Sequence, residues 1–187
     1  MDHQVADNNG GSEGKEHNNE RIPLMALNHV SRLCKSVEKS VDFYRNLLGF
    51  VPMKRPDSFD FNGAWLFNYG VGVHLVQAPD SNLLPKVHRL DPLDNHISFQ
   101  CEDAGVIEEK LKEMNIEYIK RNVETDDNDD DGSSIDQLFF NDPDGFMIEI
   151  CNCENLKLVP LECDDERIRL VPGRHNPPVE IGNKGKE

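Results

Sequence analysis

Four residues of this chain have the right chemistry to share one divalent cation: His29, His74, His96 and Glu149. Imidazole nitrogen and carboxylate oxygen suit Zn, Fe, Mn, Ni or Co, and sequence spacing alone does not choose among them. Each of the four lies in a short apolar stretch that reads as a β-strand, where residues alternate between two faces. Glu149 stands out because it sits inside Phe146-Met147-Ile148-Glu149-Ile150. An ionised carboxylate in such a run needs a partner, and a metal ion is one. His3 and His17 fall in a polar arm, and His88 and His175 have no repeat counterpart, so these four are set aside.

The elements that must hold the four residues occur twice. Asn28-His29-Val30-Ser31-Arg32-Leu33-Cys34 returns as Asn95-His96-Ile97-Ser98-Phe99-Gln100-Cys101. In the first copy the apolar pattern predicts a strand over 25–33, a helix over 37–48 ended by Gly49, and strands over 50–53, 64–68 and 71–76. In the second it predicts a strand over 95–100, a helix over 104–114, and strands over 117–121, 135–140 and 146–150. Asp142-Pro143-Asp144-Gly145 is a turn signal, since Pro fixes φ and Gly supplies positive φ. The fold class is therefore α+β, two paired β-α-β-β-β modules over 25–78 and 92–153. One such unit cannot cover its own sheet, so two must pair. His29 and His96 hold equivalent places, as do His74 and Glu149, which favours one metal centre between the halves.

Composition narrows the setting. Residues 1–21 are almost devoid of apolar side chains and are expected to form a disordered arm. Residues 159–187 are expected to form an extended tail, leaving 22–158 as the folded unit. The formal net charge of −15 argues against nucleic acid as a partner. No stretch reaches the length of a membrane span, and the N-terminal segment lacks the apolar core of a signal peptide. Five cysteines without a secretory signal suggest reduced thiols and a cytoplasmic location, with Cys151 and Cys153 as free thiols. Asp127-x-Asp129-x-Asp131-Gly132 begins like a calcium loop, but its twelfth position is Leu138, so Asp126–Asp131 reads as a solvated acidic loop. Phe61, Trp65 and Phe67 read as core or as a substrate platform, and Lys54, Arg55, Lys120 and Arg121 as surface charge or anion-binding groups. No phosphate-binding Gly-rich loop or Ser-His-Asp order is apparent, so no further cofactor-binding residues are expected.

Asn28-His29-Val30, Ser40–Gly49 (SVDFYRNLLG), Asn95-His96-Ile97 and Phe140–Glu149 (FNDPDGFMIE) resemble the vicinal oxygen chelate superfamily. Within it they most resemble plant glyoxalase I-like proteins, of the lactoylglutathione lyase family. The resemblance implies a cupped mixed sheet around one divalent metal (Zn, Ni, Co, Mn or Fe), with His29, His74, His96 and Glu149 as ligands. It implies a metal-dependent lyase or isomerase acting on methylglyoxal or its glutathione hemithioacetal. Glutathione would then be a cosubstrate, and Glu149 would move a proton between adjacent carbons. It also implies that the modules pair within one chain or between two, with a homodimer expected. Two departures are visible. The family pattern has Glu where this chain has His74, and an Arg where it has Leu33; Arg32 lies one step off and by strand parity points to the other face. The alternatives are an iron dioxygenase using His29, His96 and Glu149, and a metal- or ligand-binding regulatory protein without turnover.

Overall fold

The structure, a computed structural model, describes residues 23–85, 89–124, 134–153, 158–161 and 168–173. The first module runs β1 (His29–Cys34), α1 (Val37–Asn46), β2 (Val51–Met53), β3 (Gly63–Asn68) and β4 (Val71–Gln77). The second runs β5 (His96–Gln100), α2 (Ala104–Glu113), β6 (Tyr118–Glu124), β7 (Ser134–Asn141) and β8 (Met147–Cys151). The strands form two four-stranded sheets with the same order, β1-β4-β3-β2 and β5-β8-β7-β6. In each the first and last strands pair parallel and the others antiparallel. Two β-α-β-β-β modules are thus present, as the repeat predicts. No helix among the described residues is long and apolar enough to cross a membrane. The expected N-terminal arm, most of the C-terminal tail and the Asp126–Asp131 loop lie outside the described residues.

Local chemistry explains the boundaries. Ser36 caps α1 by accepting the amide of Lys39, and Asp103 caps α2 by accepting that of Gly105. The helix α1 stops at Asn46, two residues short of the predicted end, because the chain turns through Gly49 at φ 72°. Leu47 and Leu48 remain buried in that turn. Between β3 and β4, Tyr69 (φ 52°) and Gly70 (φ 73°) form the tight turn. Positive φ is costly for tyrosine, and the Tyr69 hydroxyl is anchored to the Leu48 carbonyl at 3.0 Å.

One core spans both modules. Tyr44, Leu66, Val73 and Leu75 cluster with Leu111, Leu138, Phe140 and Ile148. The junction is a docking of the β7–β8 hairpin on α1. Asp144 accepts the Lys35 amide at 2.7 Å and the Ser40 hydroxyl at 2.9 Å, while Asp142 accepts the Tyr44 hydroxyl at 2.9 Å. Burial pushes the Asp142 carboxyl above the usual carboxylate range. Burial, with Asp142 alongside, pushes the Tyr44 hydroxyl well up. The Asp-Pro-Asp-Gly segment is therefore more than a turn: it joins one module to the other.

The thiol expectation is corrected in one place. Cys151 and Cys153 form a disulfide, with their Cα atoms 5.4 Å apart. That separation lies within the range a disulfide spans. Strand β8 ends at Cys151 rather than continuing to Cys153.

Candidate metal centre

On each sheet, one face carries the helix and the opposite face carries the candidate ligands. Cross-strand register aligns Ser31, His74, Trp65 and Met53 in the first sheet, and Ser98, Glu149, Phe139 and Ile119 in the second. His74 and Glu149 thus occupy equivalent positions, and His29 and His96 start the first strand of each module. The predicted alternation holds for Arg32 as well. It lies on the helix side, its guanidinium 5.0 Å above the Phe146 ring.

Both early histidines are oriented alike. The Nδ1 of His29 is 2.7 Å from the Asn28 side-chain oxygen, and the Nδ1 of His96 is 2.8 Å from the Asp94 carbonyl. Both partner atoms only accept hydrogen bonds, so Nδ1 carries a proton in each ring, and in the neutral ring Nε2 has the lone pair. This is the arrangement in which a histidine offers Nε2 to a metal while its other nitrogen is held from outside.

In the second module, Nε2 of His96 lies 3.2 Å from Glu149 Oε2. Lone pairs on both atoms repel unless a cation, a proton or a metal ion, stands between them. The other carboxylate oxygen accepts the Gln137 amide at 2.5 Å. Glu149 is buried, and the Phe139 ring stands edge-on to His96 at 5.8 Å. Gln137 was not anticipated from sequence. Its register opposite Cys151, diagonal to Glu149, becomes visible only once β7 and β8 are paired.

In the first module, the rings of His29 and His74 stack at 4.0 Å and 13°. His74 is stacked on its other face by Trp65 at 4.5 Å and 7°. Gly72 makes room for this. A Cβ there would lie 3.1 Å from the His29 Cβ and 3.6 Å from the His74 Nε2. Burial, and then the neighbouring His29, push the His74 pKa down, so the ring keeps its lone pair at neutral pH.

The four predicted residues therefore come as two pairs. The structure brings His29 to His74 and His96 to Glu149. Among the described residues it gathers no group of three or more His, Cys, Asp or Glu side chains positioned to hold a metal ion. The donor types fit a borderline divalent cation, and each pair supplies two of the four donors expected from the sequence. Of the expected anion-binding groups, Lys120 is tied to Glu108 at 2.8 Å on the α2 side, away from these faces. Arg55 lies over the Phe61 ring at 4.6 Å, close to the His74 side of the first sheet.

Comparison with known proteins agrees with this architecture. A protein of Arabidopsis thaliana named Glyoxylase I 4 is 54% identical over 147 residues, covering 79% of this chain and 82% of that protein. A glyoxalase/dioxygenase from Nostoc punctiforme superposes with a TM-score of 0.53 at 19% identity, covering 76% of this chain and 97% of that one. A genomically encoded fosfomycin resistance protein from Listeria monocytogenes does so with a TM-score of 0.53 at 16% identity, covering 69% and 91%. At these identities the two structures show the shared fold and nothing about substrate. Residues 26–150 match the family profile, and with the close plant relative this establishes that the chain belongs to the Glyoxalase/Bleomycin resistance protein/Dioxygenase superfamily.

Proposed function

We propose that this chain is a metal-dependent lyase or isomerase of the glyoxalase I kind, acting on a small α-oxoaldehyde such as methylglyoxal or on its glutathione hemithioacetal. The observation that carries the reading is the His96 Nε2–Glu149 Oε2 pair, an imidazole nitrogen facing a buried carboxylate across 3.2 Å. The 54% identity to a protein named Glyoxylase I 4 supports the choice of reaction. His29, His74, His96 and Glu149 would hold one divalent ion, Zn, Ni, Co, Mn or Fe. Such an ion supplies Lewis acidity toward two adjacent substrate oxygens.

The chain's own residues divide the remaining work. Gln137 fixes Oε1 of Glu149, leaving Oε2 as the atom that takes a proton from one carbon and returns it to the next. Asn28 and the Asp94 carbonyl hold the rings of His29 and His96 in one tautomer. On the His74 side of the first sheet, Trp65 stacks on His74 and offers apolar surface to a bound substrate. With His74 in place of a second carboxylate, Glu149 is the only carboxylate base of the set.

The test is the full chain loaded in turn with Zn, Ni, Co, Mn or Fe and given methylglyoxal with and without glutathione. Lactoyl product above background is expected with at least one metal. Its absence with all five, or oxygen uptake with ferrous iron and no need for a thiol, would sink the reading. Calorimetric metal titration gives a readout independent of turnover. His29→Ala and His96→Ala, one from each pair, should each weaken binding by about 10- to 100-fold or more, as even outer-shell partners do. Full affinity in either variant removes that pair from the centre.

A further inference from the structure

The two ligand-bearing faces differ in a way the metal reading does not use. On the second sheet Phe139 and Met147 are sealed, at 3% and 2% exposed. On the first, Met53 and Phe67 are half open, at 50% and 48%, and the flanking Phe59 and Phe61 are each 41% exposed. These rings are also organised. Phe61 meets Phe59 at 6.1 Å, Phe59 meets Trp65 at 5.0 Å, and Trp65 stacks on His74, which stacks on His29. The Phe61–Phe59 and Phe59–Trp65 contacts are edge-on, so this partly exposed run of five rings, ending at two candidate ligands, presents ring edges and faces between which a flat molecule can pack.

The far end of the run carries a cation. The Arg55 guanidinium lies over Phe61, and its Nη1 is buried without a hydrogen-bond partner among the described residues. No carboxylate of the described residues forms an ion pair with it, in a chain whose formal net charge is −15. A buried guanidinium N–H left unpaired is costly unless an anion arrives to accept it. The module repeat shows how the place was made. Gln137, which holds Glu149 in the second module, has Gly63 as its counterpart in the first, since Gln137 pairs with Cys151 as Gly63 pairs with Val76. With no side chain at Gly63, Arg55 and Phe61 lie directly over the strand, each 3.1 Å from where a Cβ would be.

We propose that Arg55, Phe61, Phe59 and Trp65 form a subsite for a flat, conjugated body bearing a carboxylate, with Arg55 donating to the carboxylate and the rings packing against the body. As the seat of the substrate's non-reacting part, this subsite rests on the function proposed above; as a binding surface it stands on the first sheet alone. Bare methylglyoxal, with three carbons and no charge, leaves Arg55 and most of the ring surface unused. The substrate class that fits is an α-oxoaldehyde, free or as a thiol adduct, whose remainder is planar and anionic.

The probe is trans-cinnamate, titrated into chelator-treated full chain and followed by calorimetry and by quenching of Trp65, the single tryptophan. Cinnamyl alcohol keeps the flat body without the charge, and hexanoate keeps the charge without the ring. Cinnamate is expected to quench Trp65 and to bind at least about tenfold more tightly than either, the factor a charge-assisted hydrogen bond supplies. Arg55→Gln should remove the preference for cinnamate over the alcohol, while Lys54→Gln should not. Trp65→Leu, followed by calorimetry, should weaken the acid and the alcohol alike. Equal binding of acid and alcohol, or an unchanged preference in Arg55→Gln, would overturn the proposal. So would concentration-dependent self-association that excludes cinnamate, which would assign the face to a second copy of the chain. Because no metal and no turnover are involved, cinnamate binding without lactoyl product would refute only the lyase reading. Product without cinnamate binding would refute only the subsite.

Discussion

The contact between α1 and the β7–β8 hairpin sets how the two candidate half-centres sit relative to each other, and Tyr44→Phe tests it cleanly. Tyr44 is fully buried, and its hydroxyl donates to Asp142 Oδ2 at 2.9 Å. The other carboxylate oxygen is satisfied by the amides of Asp144 and Phe146, both at 2.9 Å. Removing the hydroxyl keeps the ring and its edge contacts with Phe43 and Phe50, but leaves Oδ2 without this donor in a dry site. A buried hydrogen bond to a charged group is worth roughly 1.5–3 kcal/mol, so a loss of about 2 kcal/mol is expected. For a folded unit of this size that lowers Tm by roughly 5–10 °C. The cost should also depend on pH. The Asp142 carboxyl is already raised by burial, and the Tyr44 hydroxyl is one of the groups holding it down. A carboxyl raised in the folded state contributes stability that is present below its unfolded pKa and lost as pH rises through its folded pKa. In Tyr44→Phe the folded value climbs further, so the gap between variant and native protein should be widest near neutral pH and shrink in acid. Urea unfolding followed by Trp65 fluorescence at pH 7 and pH 4 measures both. A loss under about 0.5 kcal/mol at pH 7, or a loss that does not fall on acidification, would refute this account of the junction.

Other substitutions probe separate parts of the argument. Gly63→Ala should destabilise by roughly 1–3 kcal/mol, because the new Cβ meets the Leu75 carbonyl, and it should displace Arg55 and Phe61; unfolding and cinnamate titration check the two effects. Reducing the Cys151–Cys153 disulfide should cost no more than about 2 kcal/mol, since so short a loop constrains the unfolded chain little; unfolding with and without a dithiol measures it. Glu108 shows the opposite pH sign to Asp142. Hydrogen bonds from Lys112, Lys120 and Tyr118 lower its pKa to about 2, so its contribution is present above the ordinary glutamate value and lost as pH falls toward 2. Carboxyl NMR titration should find Glu108 ionised at pH 3.5, and a normal midpoint would remove the cluster.

Much of this fold was legible because period-two strands, capped helices and Gly turns are local signals, and because they occurred twice. The equivalence of His74 with Glu149 followed from repeat position alone and is reproduced by register. What was not legible depends on pairing distant segments. Gln137 reaches Glu149 only across a strand pair, and Asp142 and Asp144 acquire their role only when α1 arrives. Arg55 reads as surface charge until Phe61 and Gly63 are seen beneath it. The disulfide was missed because composition speaks to compartment, whereas Cys151 and Cys153 meet where the chain leaves the strand, their Cα atoms 5.4 Å apart.

The repeat suggests two equal halves, yet the physical differences assign them different work. The second half is closed and carries the buried carboxylate, held on one oxygen by Gln137 and facing a histidine with the other. In the proposed function this half would serve proton transfer, which gains from a dry, fixed base. The first half lacks the counterparts of both groups, with His74 where the second has a carboxylate and Gly63 where it has the glutamine. Each difference removes polarity from the face and leaves ring surface in its stead. On the readings proposed above, the second half would carry the chemistry and the first the surface against which the rest of the molecule is recognised. Exchanging the two features, His74→Glu with Gly63→Gln, should therefore weaken cinnamate binding at least tenfold while leaving the Glu149 half intact. Unchanged cinnamate affinity in that double variant would show that the open face does not owe its binding capacity to this divergence.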